Sequence, residues 1–353
     1  MSGTSLDGID VALLRTDGEM VVERGSSATF AYDAVQQRLL QQALGDAVAL
    51  TDRDARVGNL AEAEQQLTQW HGEAVRRFLK DNGLTARDID VVGFHGQTVL
   101  HRPDNRLTVQ LGDGEGLSKA LGIEVVFDMR AADVMAGGQG APLVPAYHRA
   151  LAKVHPSVFV NIGGVANVTY VGADGELLAL DTGPGNALLN DWMMKHRGVA
   201  HDEGGAAALS GTVSSRHVER AMAHTFFAQK PPKSLDRNSF AHLDFSGLGF
   251  EDGAATLARF TVEAIAMAKR WLPDEPKQWV ISGGGRHNVA IMQGLREKLD
   301  NVVTAEELNL NGDAMEAEAW AYLAVRSLKG LALTYPGTTG VSQPLTGGVL
   351  AKA

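Results

Sequence analysis

A chain of 353 residues with 40 Gly, 11 Pro and no Cys is long enough for two domains of ordinary size. It excludes disulfide scaffolds, thiolate nucleophiles, zinc ribbons and cysteine-ligated clusters. A formal net charge of -10, with basic residues scattered singly, excludes the electrostatic footprint of a nucleic-acid binder. No stretch approaches the roughly 18–20 apolar residues of a spanning helix, and the first residues lack a basic-then-apolar leader pattern, so a cytoplasmic protein with no membrane partner is expected.

The chain opens on "SGTSLDGID", Ser2 to Asp10, which packs hydroxyls, glycines and two carboxylates ahead of the apolar "VALL". "IDVALLRT" and "MVVERGSSATFAY" read as two strands joined by a "DGE" turn. From about Asp46 to Asn82 the pattern is helical, with Leu60, Leu67, Trp70, His71, Val75 and Phe78 at three- and four-residue spacings. "DIDVVGFHGQ" is a short buried strand ending in a glycine-bounded turn, and "IEVVFDMR" repeats that form. "SVFVNIGGVANVTYV" reads as a hairpin bent at Gly163 and Gly164, leading through "DGELLALDTGPGN" into a helix near Ala187. After the polar loop "QKPPKSLDRNSF" come a long helix from Gly253 to Leu272 and "QWVISGGGRHN", a strand, glycine turn and helix start. The last helix carries one apolar stripe, Ala317, Trp320, Ala321, Ala324, Val325 and Leu328.

Two glycine-rich turns, "GTSLDG" and "DTGPGN", suit a triphosphate, because glycine lets backbone amides converge on an anion without net positive charge. Thr4 and Ser5 add hydroxyl donors, Asp7 suits water on a nucleotide-borne magnesium ion, and Thr182, Gly183 and Gly185 supply the other turn. Neither turn matches the Walker or the dinucleotide fingerprint. Each alone also reads as an ordinary hairpin connection. The triple glycine of "SGGGRHN" suggests a backbone pressed against a flat ligand. The 11 His show no ligand cluster, so no direct metal site is expected.

"SGTSLDGID", "GFHGQTVLHRP", "FDMRAADVMAGGQGAPLVP", "NIGGVANVT", "DTGPGNALLND" and "ISGGGRHN", in this order, resemble the anhydro-N-acetylmuramic acid kinase family of the actin, sugar kinase and heat-shock ATPase superfamily. The resemblance runs from residue 2 to about 348. It implies an α/β, bilobed actin-like (ribonuclease H-like) ATPase fold around a nucleotide cleft. Residues 1–145 would form the N-terminal lobe and 146–353 the C-terminal lobe, with the last residues packing back on the first. The family opens the 1,6-anhydro ring of its sugar with water and phosphorylates O6, using ATP with Mg²⁺, in peptidoglycan recycling. It also implies a homodimer. In the family a strand precedes the opening turn; here only Met1 does, so the turn is expected to lack one supporting strand.

The nucleotide set in the first lobe is then Gly3, Thr4, Ser5, Leu6, Asp7, Gly8, Ile9 and Asp10. In the second it is Asn161, Gly163, Gly164, Thr182, Gly183, Gly185 and Asn186, with Gly283, Gly284, Gly285, His287 and Asn288 under the adenosine. The reaction needs a base near the anomeric carbon, and Asp181, at a strand end beside the phosphate turn, falls on the family's catalytic position. The bland alternative is that Asp181 only orders its turn. Arg130 is the candidate for the lactyl carboxylate, against an internal ion pair with Asp128 or Asp133. His95, Gln97, Thr98 and Gln139 complete the sugar candidates. Glu316 falls on the family's acidic position, yet Asp313 to Glu316 also reads as a capping box, and Glu316 and Glu318 flank opposite edges of the stripe. "PPKSLDRNSF" partly matches a family loop, which leaves Arg237 either a ligand contact or a solvated residue. Other readings are an actin-like nucleotide switch, another sugar kinase of the superfamily, and a glycosidase using Asp181 and Glu316.

Overall fold

The computed structural model describes residues 1–353 except Thr4, Asp236, Arg237, Asn238 and Ala241, so the expectations for Thr4 and Arg237 lie outside the described residues. Two compact units are present, Met1–Leu151 with Ala314–Ala353, and Ala152–Asp313. The first unit runs six residues past the expected 145/146 division and includes the last forty residues of the chain.

In the first unit, β1 (Gly8–Thr16) and β2 (Val22–Ala31) pair antiparallel, as the alternating pattern around the "DGE" turn predicts. Within the expected helical region from 46 to 82 one helix forms from Leu60, and a further helix ahead of the region ends at Ala47. Ala34–Ala47 starts at a full capping box, Asp33 with Gln36, and Leu60–Asp81 carries the predicted stripe. The first was missed because its apolar face, Leu40, Ala43 and Ala47, is short and interrupted by glutamines. β3 (Val91–Gly93), β4 (Gln97–Arg102), β5 (Leu107–Leu111) and β6 (Glu124–Phe127) follow. β4 and β5 form a hairpin, and β3 lies parallel to β6.

The second unit is one five-stranded sheet flanked by helices. β7 (Ser157–Ile162), β8 (Val165–Val171) and β9 (Leu177–Pro184) run antiparallel in succession, and β10 (Gln278–Ser282) and β11 (Val302–Thr304) add parallel to β7, giving the order β11-β10-β7-β8-β9. β7 is buried at five of its six positions, which explains its continuous apolar run. The Phe250–Ala266 helix, apolar on most sides, fills one face with Leu257, Phe260, Val262 and Ile265.

The chain then re-enters the first unit through the Met315–Leu328 helix and β12 (Val349–Ala351), antiparallel to β6. That helix packs on both β1 and β3. Its expected stripe is only part of a wider buried surface, since Glu318, Tyr322, Leu323 and Arg326 are buried as well. Ala321 and Val325 face a cavity of ≈ 570 Å³ bounded by β1 and β3. Gly93 permits the close approach, because a Cβ there would overlap the Trp320 carbonyl.

Gly93→Ala therefore costs about 1–3 kcal/mol of stability through overpacking. Gly45→Ala, on an exposed helical position with open space around it, gains about 0.4–1 kcal/mol. Denaturant midpoints of the two variants should move in opposite directions; a common direction would refute this reading of the packing.

Candidate active site

The opening turn is better supported than its position next to Met1 suggested. Ser2 pairs with Ile9 as an antiparallel bridge, and Asp10 N–H donates to Met1 O at 2.8 Å. Leu6 takes a left-handed conformation (φ 55°) with its side chain buried, and Leu6 N–H closes on Gly3 O at 3.3 Å. Gly8 is required, since a Cβ would sit 2.6 Å from Phe30 O across the hairpin. Ser5 and Asp7 are exposed, and Ser5 Oγ donates to Asp7 Oδ1 at 2.7 Å. Gly3 is half-buried, and Asp10 accepts from the Thr29 hydroxyl at 2.6 Å, a sheet contact.

His95 and Gln97 brace this turn from below. Ser2 Oγ lies 3.0 Å from Tyr32 OH and donates to Gln97 Oε1 at 2.6 Å, and His95 Nδ1 donates to Ser2 O at 2.7 Å. Gln97 is fully buried, and its Nε2 donates to Thr98 O at 3.4 Å. With Nδ1 carrying the proton, the imidazole is neutral; burial and the neighbouring Arg130 hold it well below the usual histidine range. Its Nε2 has no partner among the described residues. Thr98 is buried and accepts from Gln110 Nε2 at 3.3 Å. Gln139 is tied through its backbone, N–H to Thr339 O at 2.7 Å and O from His101 Nε2 at 2.8 Å.

Neither acid near Arg130 pairs with it. Asp128 binds Arg53 at 2.6 Å, and Asp133 accepts from Gly140 N and Thr339 Oγ1. The Arg130 guanidinium lies 6.0 Å from the Trp320 ring, and its Nε has no hydrogen-bond partner among the described residues. Burial lowers its pKa while Glu316 opposes that shift, so the two form one charged neighbourhood. Glu316 is exposed, whereas Glu318 is buried on the Tyr147 hydroxyl at 2.7 Å. The capping box is corrected: the helix N-cap is Ala314, and Asp313 instead binds Arg286 at 2.8 Å.

In the second unit three turns meet at one end of the sheet. Gly185 N–H donates to Gly164 O at 2.9 Å and Asn186 N–H to Gly163 O at 2.7 Å, so these two amides join the turns together and are not free for a phosphate. A Cβ on Gly185 would overlap Gly163 O, one on Gly283 (φ +72°) would overlap Asn161 and Ile162, and one on Gly285 would overlap Ile162. Thr182 donates to Ala166 O at 3.1 Å and is buried, and Asn288 caps the next helix by accepting from Ile291 N. Arg286 is buried, binding Glu306, Asp313 and Gly283 O, and so stiffens the third turn. Gly164, Gly284 and His287 stay exposed, and Gly183 is buried on β9.

Asp181 stands on β9 under the loop that carries Lys233. Leu235 N–H donates to Asp181 Oδ2 at 2.7 Å, and Asp181 N–H donates to Lys233 O at 3.0 Å. Burial raises the carboxyl to about 7, against the pull of the Leu235 N–H and of Lys233. A carboxyl poised there can both accept and release a proton near neutrality. Lys233, which sequence reasoning passed over although "PPKSL" marked its loop, is lowered to about 8 by burial and Arg270, with Asp181 opposing.

Because the folded value lies above the unfolded one of 3.8, Asp181 costs nothing below about pH 4 and destabilises as pH rises through 7. Asp181→Asn should therefore be more stable than wild type at about pH 8, by about 1–3 kcal/mol given its residual solvent contact, and equal to it near pH 4. Chemical denaturation at the two pH values checks this; a pH-independent difference would contradict it.

The family model for anhydro-N-acetylmuramic acid kinase matches residues 1–353. A kinase of that name from Bradyrhizobium diazoefficiens is 53% identical over 358 residues, covering 100% of this chain and 98% of its own. One from Rhodopseudomonas palustris is 54% identical with the same coverage, and one from Agrobacterium fabrum is 52% identical over 363 residues, covering 100% and 97%. Among solved structures, the activator of 2-hydroxyisocaproyl-CoA dehydratase from Clostridium difficile aligns over 93% of each chain at 13% identity and a TM-score of 0.46. The architecture is mixed α/β, with several sheets. Matched end to end and identical to these relatives at half of its positions, the chain belongs to the anhydro-N-acetylmuramic acid kinase family.

Proposed function

We propose that this chain uses MgATP and water to convert 1,6-anhydro-N-acetylmuramic acid to N-acetylmuramate 6-phosphate and ADP, in peptidoglycan recycling. Asp181 is the general base. It takes a proton from water as the oxygen attacks C1; the C1–O6 bond breaks, O6 attacks the γ-phosphorus, and ADP leaves. The observation that carries this reading is the Asp181 carboxyl, half-buried on β9 beneath the Lys233 loop and raised to about 7, in a chain of this family. A base with that value is half ready at neutral pH without a metal to activate the water.

The opening turn supports phosphate binding with the exposed Ser5 and Asp7, and Mg²⁺ enters with the nucleotide. Among the described residues no group of three or more His, Asp or Glu is arranged to hold a metal ion. Arg130, whose acidic neighbours are engaged elsewhere, takes the lactyl carboxylate, with Glu316 beside it. We place the protein in the cytoplasm as a homodimer; among the described residues no helix is long and apolar enough to cross a membrane.

Turnover in oxygen-18 water is the test. A phosphorylated sugar with one heavy oxygen at C1 and none in the phosphoryl group supports water attack followed by transfer to O6; an unlabelled C1 overturns it. Asp181→Asn should lose on the order of 10² to 10⁴ in turnover while still binding nucleotide. Arg130→Ala should raise the KM for the sugar far more than that for ATP; equal effects would remove it from the lactyl role.

A further inference from the structure

The Lys233 loop does more than cover Asp181. It grips that residue twice, through the Lys233 carbonyl on its N–H and the Leu235 N–H on its Oδ2. The loop in turn is anchored by the Lys233 side chain. Nζ donates to Phe226 O at 3.1 Å and lies 4.2 Å from the centre of the Phe226 ring and 5.7 Å from that of Trp271. Phe226 itself belongs to a rigid cluster, with ring centres 5.6 Å from Phe227 and 6.0 Å from Phe240, and both Phe226 and Phe240 are buried. The ammonium is thus seated on fixed aromatic faces, the arrangement in which a cation–π contact is strongest.

We propose that Lys233 is a positioning residue for the general base, docking its loop so that the Leu235 N–H fixes Oδ2 and keeping the carboxylate in its proton-accepting form. This leaves Oδ1 as the oxygen that takes the proton from water. The inference rests on Asp181 being the base. Among the described residues, Lys233 is the charge that acts on Asp181 from the loop, Arg270 from the Met267–Trp271 turn acts on Lys233, and β8 opposes Asp181 with the uncharged Asn167. Removing Lys233 takes away both a positive charge and the anchor of the Leu235 N–H, which favours the carboxylate. Both losses push the Asp181 carboxyl upward, so the acidic limb of the rate profile must move to higher pH.

The test is sugar-dependent ADP release by Lys233→Met, Lys233→Arg and Asp181→Asn, measured from about pH 5.5 to pH 9. Lys233→Met should shift the acidic limb of kcat up by roughly half a unit or more and lower kcat at pH 7 several-fold, with the KM for ATP unchanged. Lys233→Arg, which keeps the cation over the rings, should restore most of the limb. A Lys233→Met enzyme with a wild-type limb, or one whose only change is a higher KM for ATP, overturns the proposal. If Asp181→Asn turns over at the wild-type rate, the base assignment fails first, and the two failures are told apart.

Discussion

Three backbone turns in the second unit approach so closely that no side chain fits between them. Gly185 lies against the Gly163 carbonyl, and Gly283 and Gly285 lie against Asn161 and Ile162. That contact sets the end of the sheet: β9 stops at Pro184, the Ala187–Arg197 helix begins just after it, and the Gly284–His287 turn is tied down by its own Arg286, which reaches Gly283 O, Glu306 and Asp313. Glycine serves here for clearance more than for anion binding. The amides of Gly185 and Asn186 are already committed to the neighbouring carbonyls.

Asp181 inherits its chemistry from this arrangement. A strand pinned at its end holds its carboxylate in place, and the Lys233 loop above it contributes the Leu235 N–H and the Lys233 carbonyl. Desolvation then raises the carboxyl, and the Leu235 N–H and Lys233 oppose that rise. Fewer donors would leave it protonated at neutral pH; more would make it a poor base. The lysine pays its own cost, since half-burial beside an arginine lowers it to about 8.

Much of the second unit is legible in the sequence because its strands are buried on both faces and bounded by glycine. "SVFVNIGGVANVTYV" admits one reading, a bent hairpin, and the helix near Ala187 follows from it. The family blocks likewise point to Asp181 and to the turns. What the sequence does not carry is partner choice over distance. Gln97, 95 residues from Ser2, accepts from its hydroxyl beneath the opening turn, and Asp313 turns from its own helix to Arg286. Glu316 and Glu318 sit two residues apart on one helix, and only packing against Tyr147 decides which is buried. Lys233 was invisible for the same reason: its role depends on aromatic rings from two other segments.

The central claim is that the half-buried Asp181 carboxyl, held by the Leu235 N–H, is poised near neutrality in the protein as it folds. Carbon-13 NMR of the aspartate side-chain carboxyls, titrated with pH and assigned by comparison with Asp181→Asn, measures it without turnover. A resonance missing from the variant with a midpoint near 7 is the predicted result. A midpoint near the ordinary 3.8 would mean that water reaches the carboxylate freely, and would contradict the account.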